Sequence, residues 1–135
     1  MSLVPKVVET YEGTDVVVMD RVQDAAGADI TQAALDPGSG GSITYYVYDE
    51  DDDTEEATAT LDRTAVVFDT LQTSAPWTAD STGYNFKWQI GAALLPNAAG
   101  SKVYRVDVVF LTTSSDRLVL RYRIGRSNLV SQAAP

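Results

Sequence analysis

The sequence predicts an all-β protein folded as an antiparallel β-sandwich of about eight strands. Three observations point there. No stretch of a dozen residues repeats apolar positions at intervals of three and four, so amphipathic helices are not expected. Short runs rich in valine, tyrosine and threonine recur, separated by clusters of glycine, proline, aspartate and serine. Residues 84–90 and 104–124 alternate apolar with polar, as strands do when one face meets a core and the other meets water.

The first run covers 4–9, where Pro5 suits a strand start or a sheet edge, and Tyr11-Glu12-Gly13-Thr14 turns it into a second strand at 16–19, extensible to Val22. A turn at 24–27 leads into 28–42, whose glycines and Pro37 read as a flexible loop. The run Ile43-Thr44-Tyr45-Tyr46-Val47-Tyr48 is a strand, with Ile43, Tyr45 and Val47 on one face and Tyr46 and Tyr48 on the other. A solvated acidic hairpin loop at 49–56 follows, then strands at 57–61 and 65–68 joined by Asp62-Arg63, and a loop at 74–83 around Pro76 and Trp77.

Tyr84, Phe86, Trp88 and Ile90 alternate with Asn85, Lys87 and Gln89, which sends the first set into a core and the second into water. A loop at 94–100 carries a leucine anchor. The C-terminal hairpin has Tyr104, Val106, Val108 and Phe110 facing Leu118, Leu120, Tyr122 and Ile124 across the turn Thr113-Ser114-Ser115-Asp116, with Arg105, Asp107, Arg117, Arg121 and Arg123 outward. Residues 1–126 thus form one domain, and 127–135 a polar tail expected to be mobile on its own. Two packed antiparallel sheets, an immunoglobulin-like sandwich, bury every apolar face; a small barrel is the competitor.

The 135-residue chain is long enough to bury a core without a metal or disulfide. It has neither cysteine nor histidine, so no Ser-His-Asp or Cys-His relay can be built, and the usual zinc, copper and haem ligands are missing. No glycine-rich phosphate loop is present. The acids cluster in loops rather than pairing across a cleft, so enzymatic activity is not expected, and neither is a cofactor or a metal. No run approaches the length of a membrane helix, and the N-terminus lacks the charged and apolar regions of a signal peptide. Synthesis in the cytoplasm is the expectation.

A net charge of −9 argues against nucleic acid as a partner. The charge is unevenly spread: residues 1–101 hold 17 acids and 4 bases, whereas 102–126 hold 6 bases and 2 acids. Arg105, Arg117, Arg121 and Arg123 either solvate an outer face or dock on complementary neighbours. Asp49, Asp51 and Asp53 share the spacing of the first calcium ligands of an EF-hand, but Thr54 stands where glycine is needed and Thr60 where glutamate is needed. Asp51, Asp52 and Asp53 therefore read as a self-repelling hairpin tip, with calcium or a basic partner surface as the other readings. Trp77 plugs the core or anchors a contact. Leu129 and Val130, apolar within the tail, are candidate contact residues.

Several segments resemble the immunoglobulin-like domains of tailed-bacteriophage virion proteins, such as the N-terminal domain of upper-baseplate proteins. They are Ile43-Thr44-Tyr45-Tyr46-Val47-Tyr48-Asp49, Leu94-Leu95-Pro96-Asn97-Ala98-Ala99-Gly100, Val103-Tyr104-Arg105-Val106-Asp107-Val108 and Arg117-Leu118-Val119-Leu120-Arg121-Tyr122-Arg123-Ile124. The likeness runs from about Thr14 to Ile124. The chain departs from the pattern at 113–116, where Asp-Gly is common, and a second domain for receptor binding or trimerisation is not expected. The resemblance implies a non-catalytic virion component in many copies or as a homo-oligomer. It would decorate the capsid or serve head–tail or tail assembly, with capsid, portal, adaptor or tail proteins as partners. The alternative is a carbohydrate-binding or adhesin-type sandwich using Trp77 and the outer tyrosines as a sugar platform. A calcium-stabilised module is a third reading.

Overall fold

The alternation at the C-terminal end of the sequence becomes the longest ladder of the computed structural model, which describes residues 6–11, 15–24, 26–50, 54–74, 77, 80–95 and 102–127. Eight strands lie in chain order: β1 (Lys6–Tyr11), β2 (Val16–Asp20), β3 (Ser42–Asp49), β4 (Thr54–Thr60), β5 (Val67–Gln72), β6 (Tyr84–Ile90), β7 (Lys102–Leu111) and β8 (Arg117–Ser127). They form a five-stranded sheet ordered β1-β8-β7-β3-β4 and a three-stranded sheet ordered β2-β6-β5. This is the immunoglobulin-like arrangement, with β2, β6 and β5 in one layer and β3, β7 and β8 in the other, extended at one edge by β4.

One pair departs from the expected all-antiparallel pairing. β1 runs parallel to β8, with Lys6 opposite Tyr122 and Tyr11 opposite Ser127. A parallel neighbour needs a long crossover rather than a hairpin, and here the crossover is the rest of the domain. The chain therefore does not fold back from β1 onto β2, which sits in the other sheet.

The inner faces match the alternation. Phe86, Ile90, Val106, Val108, Phe110 and Ile124 are fully buried, and Leu118 and Leu120 pack on them half-buried. Aromatic contacts bridge the layers: Phe86 meets Phe110 edge-on at 5.2 Å, and Trp88 meets Tyr45 at 4.9 Å. Each buried ring contributes a few kcal/mol, roughly, and such ring pairs add to it. With no cysteine available, these rings fill the role that an inter-sheet disulfide has in antibody domains. Tyr104, the third residue of β7, is buried two residues before Val106. Leu95, the expected loop anchor, is buried.

Four expectations are corrected. The segment 28–42 is built rather than loose: it contains 3₁₀ turns at Ala33–Leu35 and Pro37–Ser39 and buries Ile30 and Leu35. Gly41 lies so close beneath it that a Cβ would come within 2.4 Å of the Leu35 backbone. Residues 63–66 form a one-turn helix, α1 (Arg63–Val66), where a strand was expected from 65, because the Asp62 side chain accepts the Thr64 N–H at 2.9 Å and caps it. Asp49 belongs to β3 and is buried against Lys102, and Glu55 and Glu56 belong to β4, so the acidic tract is not one solvated loop.

The fourth correction concerns Asn85, which faces inward at 1% exposure. β2 ends at Asp20, which leaves the next backbone groups without a strand partner. The Asn85 carboxamide supplies one: its oxygen accepts from Val22 N at 2.7 Å, and its nitrogen donates to Val22 O at 2.9 Å and Ile30 O at 3.1 Å.

Candidate functional site

Register sets the candidate site. A residue directly opposite another on adjacent strands shares its face, so Tyr46, Asp107 and Arg121 form one outward row across β3, β7 and β8. Tyr48, Arg105 and Arg123 form the next row. The three central arginines are thereby brought together with two tyrosines on the outer face of the five-stranded sheet.

The rows are bonded into one network. Arg121 grips Asp107 through two parallel bonds, Nε to Oδ1 at 2.7 Å and Nη2 to Oδ2 at 3.0 Å. Arg105 approaches the same carboxylate at 3.7 Å, and its guanidinium lies 4.4 Å from the Tyr48 ring centre. Tyr46 stacks on Tyr48 at 6.5 Å with planes 19° apart. Arg123 donates to Glu50 at 2.8 Å. The hydrogen bond to Asp107 raises the already high pKa of Arg121, so its charge is permanent. Glu50 and the three arginines line a shallow depression of about 210 Å³.

Three arginines against Asp107 and Glu50 leave this patch with one net positive charge on a chain of net −9. Arg123 keeps about half of its side chain exposed. Tyrosine and arginine held rigid on strands are the residue types that dominate the energetics of protein contacts. Glu50 and Asp107 enlarge the set named from sequence. In the observed register Leu111 stands opposite Arg117, so the five residues 112–116 close the hairpin and Asp107 falls opposite Arg121.

Arg117 does not join them. It is exposed about 13 Å further along β8, beside a separate depression that includes Asp24 and Asp116. Trp77 belongs to the other layer and is half-buried: its Nε1–H donates to Asp80 O at 3.0 Å, and its ring packs 5.5 Å from Tyr84 of β6. Tyr84 also meets Phe68 edge-on, so Trp77 closes a satellite aromatic cluster outside the central core. The Trp77 and outer-tyrosine platform is not assembled. Asp51, Asp52, Asp53, Leu129 and Val130 lie outside the described residues.

The remaining buried polar groups are structural. Tyr122 donates to Asp20 at 2.8 Å between the layers, and burial chiefly, with the Asp20 charge, pushes the phenol pKa far above its usual range. Among the described residues, no three acids converge to hold a metal ion, and no helix is long and apolar enough to cross a membrane.

Fold and face together define an immunoglobulin-like sandwich with a tyrosine–arginine patch on its larger sheet. No family model matches the chain, and no curated protein matches it. Among solved structures it is similar to murine CRIg, at 14% identity, covering 92% of each chain with a TM-score of 0.33.

Proposed function

We propose that the chain is a structural protein of the tailed-bacteriophage virion, working by contact rather than turnover: a capsid decoration, head–tail or tail component present in several copies. Partners on this reading are capsid, portal, adaptor or tail proteins, and the protein resides in the particle. The phage assignment rests on the segments around 43–49, 94–100, 103–108 and 117–124 and their likeness to phage immunoglobulin-like domains. The observation that carries the contact role is the bonded patch of Tyr46, Tyr48, Arg105, Asp107, Arg121 and Arg123, which presents a rigid two-signed surface whose side-chain ordering cost is already met.

The test is mass spectrometry and co-sedimentation of purified particles encoded with this gene. The protein should travel with the particle, and the double change Arg121→Glu with Arg123→Glu should abolish incorporation while the purified domain stays folded. Particles that never contain the protein at any stage of assembly would overturn the reading. The near-parallel rings of Tyr46 and Tyr48 favour a second reading, a carbohydrate-binding or adhesin-type module. A glycan array lost on changing both tyrosines to alanine would favour it.

A further inference from the structure

A different surface carries a second contact. β4 is the last strand of its sheet, and among the described residues it pairs only with β3. Its sequence, Thr-Glu-Glu-Ala-Thr-Ala-Thr, is exposed except at Ala57 and contains no proline or lysine; a register shift at Glu56 guards the start of the edge, and 57–60 keep regular register with β3. Where β4 leaves the sheet, the ladder continues one step through the Leu61 N–H on Ile43 O. A cavity of about 560 Å³ opens at that point, with Leu35, Pro37, Ile43 and Leu61 among its apolar lining. An open edge gives main-chain bonds, and a pocket in line with it gives side-chain selectivity; together these are the two parts of a strand-addition site.

Charge selects the occupant. Glu55 and Glu56 stand exposed on the edge, and exposed Asp62 lies at the pocket. The one base there, Arg63, is held by the Gln32 carbonyl at 2.6 Å and by Asp36 at 3.7 Å. A second copy of β4 pairing antiparallel would bring these acids towards each other. We propose that β4 and this pocket accept an extended basic segment of a partner protein as a sixth strand, seating one apolar side chain in the pocket beside Leu35, Pro37 and Leu61. This proposal is independent of the outer-face reading, because it uses the edge of the sheet and none of the arginines.

The probe is a synthetic peptide alternating lysine with valine and ending in leucine, titrated into isotope-labelled protein. Expected are amide shifts confined to 54–64 and 35–43, slowed hydrogen exchange along β4, and an affinity that falls with salt. The double change Glu55→Lys with Glu56→Lys should weaken binding by up to about 25-fold, since each rim charge is worth up to roughly one factor of five. Leu61→Ser should weaken it with the charges intact. Absence of shifts at millimolar peptide overturns the proposal, as does concentration-dependent protection of β4 without peptide, which would assign the edge to a second copy. Shifts confined to Tyr46, Tyr48, Arg105 and Arg121 also overturn it but leave the outer-face reading standing.

Discussion

The two sheets use polar side chains in opposite ways. In the larger one, β7 pairs along its whole length with β8, and β3 along its whole length with β7. The backbone there satisfies itself, and the outward polar groups bond to one another. In the smaller one, β6 keeps register with β5 only at Val67 with Phe86 and Gln72 with Tyr84, and β2 stops at Asp20. Side chains there stand in for missing strand partners: Asn85 for the chain at 22 and 30, and Asp80 for the amides of Thr82 and Gly83. The outward polar residues of the first sheet are thus candidates for function, whereas Asn85 and Asp80 are part of the scaffold.

Asn85→Ala is the largest test of that contrast. It strands the Val22 N–H and the Val22 and Ile30 carbonyls in a site that water does not reach, at a cost of roughly 3–5 kcal/mol. Urea denaturation should show the midpoint falling with the slope unchanged. A loss below about 1 kcal/mol would mean that Asn85 is no substitute strand, and the contrast between the sheets would fail.

Tyr122→Phe comes next, since Tyr122 joins the layers through Asp20. Losing a buried bond to a carboxylate costs roughly 1.5–3 kcal/mol. The pH signature sharpens the reading. The phenol's pKa is raised from 10.0 in the folded chain, so its contribution is intact below pH 10. Above that, the unfolded chain releases the proton while the folded chain retains it, and stability falls as pH rises. The phenylalanine variant should lack that part of the alkaline slope in denaturation curves taken from pH 8 to 11.

The larger sheet was legible for the same reason that it is regular. Alternation in 43–48 and 104–124 reports which side chains face the core and which face out. Tyr46, Tyr48, Arg105, Asp107 and Arg121 were therefore placed outward from the sequence. Asn85 was misplaced because the period-two rule assumes that polar means solvent, whereas this amide is buried by the chain at 22–30 that it bonds. The segment 28–42 was misread because its glycines signal turns but not what lies beneath them. Ile30 and Leu35 were the visible hints, two isolated apolar residues in a stretch otherwise read as loop. The parallel placement of β1 has no local signature, because it depends on a strand more than a hundred residues away.

Arg121→Ala should cost less, about 1 kcal/mol, because the pair is partly open to solvent and Arg105 remains near Asp107. Thermal unfolding in low and high salt would check it, with the difference from the parent shrinking as salt rises. A loss as large as that of Asn85→Ala would make the outer network structural and remove its availability for a partner.

The smallest effect lies in the loop of Trp77. The Gly83 amide, foremost, and the Arg21 guanidinium hold the Asp80 carboxyl below its usual 3.8. Gly83 can sit there because its φ is +106° and a Cβ would lie 2.4 Å from the Gln72 carbonyl oxygen. A lowered carboxylate stabilises the folded loop above pH 3.8 and ceases to do so as pH falls through the lowered value. The Asp80 carboxylate also accepts the indole N–H at 3.3 Å, beside the Asp80 carbonyl at 3.0 Å, so its protonation should loosen Trp77 before the core opens. Tryptophan emission should then shift to the red in acid in two steps, the first from Trp77 and the second from buried Trp88. In Asp80→Asn the first step should vanish, because the amide does not titrate. If it persists, the acid transition belongs to another carboxylate and the loop is held by the aromatic cluster alone.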